Sequence, residues 1–351
     1  MDFDIAFLLT QDGIASGAIY AMMALGIVLV FNATRVIFVP FGDLVAFAAL
    51  TLANIQTQRQ PGTIILVILL AVIAFVFELA TIARVREWHL IPKAAIMWLI
   101  LPTLPVVAAM LLHGVDLPLA AQIALAIALV LPLGPILYRI VYQPVANAPV
   151  LILLMMSVAL HFAISGLALL AFGPEGLRTT PLVRGDLVIG SLAFSKHMLL
   201  MIGSAAAMSL ALYLFFGRSI VGKALRATAM NREGARLVGI PTTRAGSNAF
   251  LLATIIAAIA GVLISPTTTI YYDTGFMVGL KGFVGATVGG FISYPAAVVG
   301  AVIVGLIESV SSFYASALKE IIVFSSIIPI VLWRWLAVGA GEIDDEVEDD
   351  E

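Results

Sequence analysis

The chain has 351 residues, of which 62% are hydrophobic and 11% charged, whereas an ordinary soluble domain carries about 25% charged residues. That composition excludes a simple soluble enzyme and a disordered chain and leaves a polytopic membrane protein. Net charge is −3, yet residues 342–351 (EIDDEVEDDE) hold 8 of the 21 acids and no base. The body is therefore mildly basic and the last ten residues form an acidic tail, a pattern that reads as solvated and disordered. Cysteine is absent, which removes disulfide frameworks, thiolate metal sites and redox pairs.

A bilayer core about 30 Å thick needs about 20 apolar residues per helix. By that measure the chain reads as an all-α polytopic membrane bundle with eleven hydrophobic segments, some short or broken, in one transmembrane domain over 1–351. The first segment, 13–33, holds a Gly13/Gly17 GxxxG that permits close helix contact. The residues before it carry Asp2 and Asp4 and no base, against a cleavable signal peptide. The second, 38–55, opens Phe38-Val39-Pro40-Phe41-Gly42-Asp43. Pro and Gly two apart break a membrane helix, and broken backbone at depth is tolerated only where it is buried in protein or lines a cavity. Asp43 either caps that broken helix or touches cargo.

Segments 63–83, 94–112, 118–138 and 149–172 follow. Glu78 and His161 are lone polar groups within them, suited to interhelical hydrogen bonds. The connection 173–196 alternates apolar and polar residues between Gly, Pro and Asp, which reads as a β-hairpin-like cap, either a docking surface or an ordinary loop. After segment 197–216 comes the basic stretch 217–246, then 247–270 and 276–292. The latter holds Lys281 among Gly279, Gly282, Gly285, Gly289 and Gly290. Lys281 is either a pathway group or a side chain that snorkels to the interface. Segments 295–313 and 319–336 complete the chain. Short, interrupted segments in the two halves, here 38–55 and 276–292, point to a transport site.

Stretch 217–246 carries six basic residues against one acid, Glu233, and is taken as cytoplasmic. Alternation from that anchor predicts an outside N-terminus and a cytoplasmic C-terminus. It puts 12 basic residues at inside ends and 5 at outside ends.

No catalytic constellation and no metal set is expected. The four histidines are scattered, and no GxSxG elbow or Asp-rich calcium loop occurs. Gly217 to Ala224 imitates a phosphate-binding loop but has Ala224 where Ser or Thr must hold Mg²⁺. The chain therefore needs no cofactor of its own, and no nucleic acid is an expected partner.

Gly222 to Ile240 (GKALRATAMNREGARLVGI) mixes apolar and charged residues and is too short to span. It reads as a pair of amphipathic surface helices, broken at Gly234 and ended at Gly239-Ile240-Pro241. Joined to two spanning segments, it would act as a lever or rest on anionic lipid. This stretch resembles the coupling segment of the branched-chain amino acid ABC transporter permease family. Gly279-Leu280-Lys281-Gly282-Phe283 through Gly289-Gly290, Pro295, Gly300, Gly305 and Glu308 is similar to a second signature of that family. Gly17-Ala18-Ile19-Tyr20-Ala21 to Arg35-Val36-Ile37 resembles its opening.

The resemblance is to the LivH-like subunit. It implies a permease of a bacterial inner-membrane importer, not an enzyme, fed by a periplasmic solute-binding protein. The partners would be a second, LivM-like permease and two LivG/LivF-like ATP-binding subunits that hold ATP and Mg. Gly222, Arg226, Arg232, Glu233, Arg236 and Gly239 would then couple to an ATP-binding subunit. The cargo path would involve Phe38, Pro40, Phe41, Asp43 and Lys281. Where the family reads NFAHG, this chain reads Phe38-Val39-Pro40-Phe41-Gly42. If that segment lines the path, the cargo is a branched or aromatic apolar carboxylate as readily as an amino acid. Residues 84–117 look like an extra pair of segments beyond the usual family length. The rival is an ion-coupled secondary transporter or channel, which would want paired carboxylates at mid-membrane.

Overall fold

The computed structural model describes residues 3–189, 192–291 and 293–338. The acidic tail at 342–351 lies outside them. The described chain is helical apart from one hairpin. In order it runs α1 (Phe3–Thr34), α2 (Phe41–Gln56), α3 (Thr63–Val85), α4 (Trp88–Leu111), α5 (Leu119–Tyr142) and α6 (Val150–Phe172). Strands β1 (Asp186–Ile189) and β2 (Leu192–Ser195) pair antiparallel, Asp186 opposite Ser195. Then come α7 (Lys196–Arg218), α8 (Ile220–Met230), α9 (Arg232–Leu237), α10 (Thr242–Ile264), α11 (Thr274–Val288), α12 (Tyr294–Tyr314), α13 (Lys319–Ser325) and α14 (Ile327–Val338).

Eight of these helices are long and apolar enough to cross a membrane. The expected segment 94–112 begins six residues earlier, at Trp88. Pro102 and Pro105 cannot donate to the preceding turn, and the backbone relaxes through a widened turn at Ile96–Ile100. Segment 319–336 is broken at Ser326 into α13 and α14 rather than continuous.

α1 is the axis of the bundle, with Met22, Met23, Leu25 and Leu29 fully buried. Its Gly13 and Gly17 meet α12: a Cβ on either would lie 2.8 Å from the α-carbon of Leu306 or Val302. A Cβ on Gly305 would in turn strike the backbone of Gly13 and Gly17. Small residues of this kind let helix backbones touch, the main source of attraction once lipid has removed any hydrophobic drive between helices. α10 lies against α2 in the same way, Gly261 meeting Val45 and Ala48. α4 sits at the edge, with Ala94 and Trp98 in a small separate core against Ala71, Ala74 and Ile82 of α3 and Ile136 of α5.

α2 and α11 have 16 and 15 residues, or about 24 and 22 Å, short of a 30 Å hydrocarbon core. They meet at their first turns. A Cβ on Gly42 would collide with the carbonyl of Gly275, and one on Gly275 with that of Gly42. Beside this contact His161, the midpoint of α6, bonds Asp43 at 2.8 Å and stacks on Phe276 with ring centroids 4.4 Å apart. Both short helices therefore start inside the bundle, reached by non-helical chain from its opposite ends. These are the two interrupted segments that the Pro/Gly and glycine patterns single out.

Contacts between connections separate two ends. At one, Gln58 reaches Asp116, Thr180 bonds Gln56, and the backbone of Leu177 pairs with Ile270 beneath the hairpin. At the other, Arg35 bonds the carbonyl of Ala229 and Phe31 packs on Phe291. Successive helices, with the short α2 and α11 included, run alternately between these ends.

Candidate functional site

A large cavity, about 810 Å³, opens at the hairpin end. α1, α7, α11, α12 and α13 wall it, and Lys281 lies in it. Lys281 is 6% exposed. It does not snorkel outward: its Nζ donates to Glu308 Oε1 at 2.6 Å and to Glu320 Oε1 at 3.1 Å. Tyr20 donates its hydroxyl to the other oxygen of Glu308. Lys319 stands 3.9 Å from Glu308 and 3.8 Å from Glu320. One lysine thus ties α11 to α12 and α13, and through Glu308 to α1.

Two of the three stretches that carried the resemblance contribute members of this node. Tyr20 comes from the opening signature, Lys281 from the Gly279-Leu280-Lys281-Gly282-Phe283 run, and Glu308 from the end of the same signature 27 residues later. The spacing of these residues along the chain hides the cluster. The signal that could have found it is sign: a lysine and a glutamate, each alone in an apolar helix, must find an opposite charge there.

The remaining expected path residues lie elsewhere. Phe38 is buried in an aromatic cluster, its ring centroid 4.8 Å from Phe250 and 5.8 Å from Tyr142. Phe41 fills the space left by Gly26 on α1, and Pro40 is buried as the residue before α2. None of Phe38, Pro40, Phe41 or Asp43 lines the large cavity. Asp43 makes no capping bond at the start of α2; its partner is His161. Glu78 likewise bonds Arg139 at 2.6 Å, so this arginine is spent inside the bundle rather than at a loop. The membrane carboxylates Asp43, Glu78 and Glu308 therefore each meet a base on another helix, in three different places.

At the opposite end α8 and α9 lie across the surface. Their break falls at Asn231, not at Gly234. Ser219 caps α8 by accepting from Gly222 N at 3.0 Å, and Asn231 caps α9 by accepting from Gly234 N at 2.8 Å. A capping side chain sets a helix start more firmly than a glycine sets a stop. Gly239, with φ +83°, then turns the chain into α10. Gly222 is buried against the carbonyl of Phe215, so it joins α8 closely to the end of α7. Arg236 Nε bonds Thr242 Oγ1 at 3.0 Å, tying α9 to α10. Arg226 and Glu233 are exposed, and the side chain of Arg232 lies outside the described residues. The pair also exposes Met230 (80%), Leu237 (89%) and Val238 (75%).

Asn231→Ala is expected to cost about 1 kcal/mol of local stability through loss of the cap. Limited proteolysis checks it, since cleavage between 231 and 240 should quicken while the spanning helices stay protected.

Comparison with known proteins gives a consistent result. Residues 105–332 match the family described as branched-chain amino acid transport system / permease component. The high-affinity branched-chain amino acid transport system permease protein LivH of Escherichia coli K12 is 33% identical over 238 residues, 65% of this chain and 77% of that protein. LivH of Salmonella typhimurium is 32% identical over the same shares. The corresponding permease BraD of Pseudomonas aeruginosa is 26% identical over 65% of this chain and 76% of its own length. No solved structure matches. With eight long apolar helices and two shorter ones between them, paired membrane charges and relatives that are permease components, this chain belongs to the branched-chain amino acid transport permease family.

Proposed function

We propose that this chain is the transmembrane permease subunit of a binding-protein-dependent ABC importer for branched-chain or other hydrophobic amino acids. The observation that carries it is the solvent-facing pair α8–α9. It is joined to α7 by Gly222 and to α10 by Arg236, and it displays Met230, Leu237 and Val238 at the end opposite the large cavity. Apolar side chains this exposed, on a surface helix ringed by charge, fit a protein partner whose cleft buries them.

In this reading two ATP-binding subunits grip the α8–α9 end in the cytoplasm of a bacterial inner-membrane system. A second permease completes the pore, and an external solute-binding protein delivers cargo at the hairpin end. Arg226, Arg232 and Glu233 orient the coupling contact, Gly222 and Gly239 shape its backbone, and Arg236 passes motion to α10. ATP and Mg stay on the partners. The N-terminus is external and the C-terminus cytoplasmic.

The test is recovery. In mild detergent the full chain should bring down two ATP-binding subunits, and ATP hydrolysis should rise with loaded binding protein. Leu237→Asp with Val238→Asp should reduce that recovery about tenfold or more, because two desolvated contacts become buried unpaired charges. Exchange of Glu233 and Arg236 should uncouple hydrolysis from uptake. Unchanged recovery and uptake in both variants would remove α8–α9 from the coupling role.

A further inference from the structure

The α8–α9 end of the bundle holds a basic cleft. Its inner lobe, about 470 Å³, lies between the last turn of α1, the end of α7, α8 and the first turn of α12. Leu29, Phe216 and Leu225 give it apolar walls, and Arg35 and Arg226 are the charged groups on its lining. An adjoining lobe, about 340 Å³, shares Arg35 and Met230 and carries one acid, Glu233. Neither guanidinium is in an ion pair among the described residues. Arg35 gives one bond to the carbonyl of Ala229, at 3.4 Å, and a guanidinium has five donors. Arg218, Lys223, Arg236 and Arg244 stand exposed on the surrounding stretch.

The chain itself supplies an occupant of opposite sign. α12 starts at this end, where Tyr294 stacks on Phe216, and runs to the hairpin end. α13 and α14 return over residues 319–338, about 30 Å of helix. Residues 339–351 follow, outside the described structure, and 342–351 hold eight acids and no base. α14 packs on α11, and α11 on the α1 and α12 that wall the cleft, so about two interhelical spacings of 8–10 Å separate α14 from it. Extended chain covers about 3.3–3.6 Å per residue, which carries Val347 about 30 Å from Val338. Salt screens exposed charges beyond about 8 Å, so attraction between the two requires contact, and the tether favours it by holding the acids at about millimolar effective concentration. The rival cations at this end, Arg84, Arg86 and Lys93, stand exposed around an acid of their own, Glu87.

We propose that segment 342–351 docks in this cleft, its carboxylates on Arg35 and Arg226 and Val347 against the apolar walls, and thereby competes with an ATP-binding subunit for α8–α9. The docked segment covers Met230, one of the three apolar side chains that the pair exposes. A permease without its partners then keeps that part of the coupling face shielded, and assembly displaces the segment. The docking stands on the fold and the charge pattern; the competition rests on the importer reading.

The experiment uses the full chain in phosphatidylcholine nanodiscs. The chain has no cysteine, so Val347→Cys with Met230→Cys, joined by a short bismaleimide, reports the docked segment alone. Val347→Cys with Val85→Cys, beside Arg84 and Arg86, is the control. The first pair should crosslink at least about fivefold more than the control, and its yield should fall about fivefold in 0.5 M salt, where the screening length is about 4 Å. Arg35→Gln with Arg226→Gln should lower the yield about fivefold as well, and so should replacement of the eight acids by their amides, which alters no described residue. Equal yields from the two pairs, a yield indifferent to salt, or one unchanged by either set of substitutions would overturn the docking. Loss of the crosslink in phosphatidylglycerol nanodiscs would overturn it too, by giving the cleft to lipid phosphate. Competition is read separately. Added ATP-binding subunits should abolish the crosslink, and the amide variant, with its native Met230, should recover about threefold more of them. Subunits that bind and leave the crosslink in place refute the competition. A crosslink with no recovery of subunits refutes the importer reading and leaves the docking; recovery with no crosslink refutes the docking alone.

Discussion

Lys281→Met is expected to destabilise the purified chain by about 3 kcal/mol, the lower end of the range for breaking a buried ion pair. The lower end applies because the cavity admits water to one side of the node. Methionine preserves the length and packing of the lysine stem but leaves Glu308, 13% exposed, without its 2.6 Å partner. Tyr20 then remains its hydrogen-bond partner, with Lys319 3.9 Å away at the half-exposed side. The second variant, Lys281→Met with Glu308→Met, should recover most of the loss, since it removes the orphaned charge and puts apolar atoms in its place. Glu320 keeps Lys319 as a neighbour in both. Thermal unfolding in one detergent, compared across wild type, single and double variants, provides the check. A single variant as stable as wild type, or a double variant no better than the single, would show that α11, α12 and α13 are not joined by this pair.

Gly42→Val is expected to be still more damaging and to prevent recovery of monodisperse protein. Inserting methylenes into a packed site costs about 1–3 kcal/mol when side chains can yield. Here the obstacle is the carbonyl of Gly275, with the α-carbon of Gly279 3.0 Å from the added Cβ. Backbone on both sides cannot rotate away, so the first turns of α2 and α11 must separate. Gly203→Val is the control, because nothing lies within 4 Å of a Cβ placed there. Size-exclusion profiles of the two variants should differ sharply: a single symmetric peak for Gly203→Val and aggregate for Gly42→Val. Normal behaviour of Gly42→Val would mean that the two short helices do not touch as described.

The sequence gives away those parts of this molecule that depend on local pattern. Long apolar runs fix the long helices, because a bilayer leaves unpaired backbone no alternative. Pro40 with Gly42, and the glycines after Thr274, mark the two short helices for the same reason. Alternation between Gly, Pro and Asp marks the hairpin. The errors fall where a tertiary contact outranks local chemistry. Asn231 ends α8 by capping α9, so Gly234 has no stop to make. Phe38 and Phe41 look like a lining when only their replacement of polar positions is considered. Yet Gly26 and Phe250 provide space and surface for them inside the bundle. The Lys281 node was half legible. Lys281 could be flagged as an ionisable group in a span, but its partners stand 27 and 39 residues away on other helices. Helix order in space, which no periodicity records, brings them together.

The meeting of α2 and α11 has an electrostatic consequence. Each helix start carries about half a positive charge, so two like poles face one another across a glycine contact deep inside the fold. Asp43, in the first turn of α2, and Asp273, the residue that opens α11, are carboxylates at these two starts. Dispersion between the glycine backbones draws the joint together while the poles push it apart, with the Asp43 carboxylate as counter-charge. A shift of His161 on α6 that moves Asp43 therefore changes the electrostatic balance at this joint.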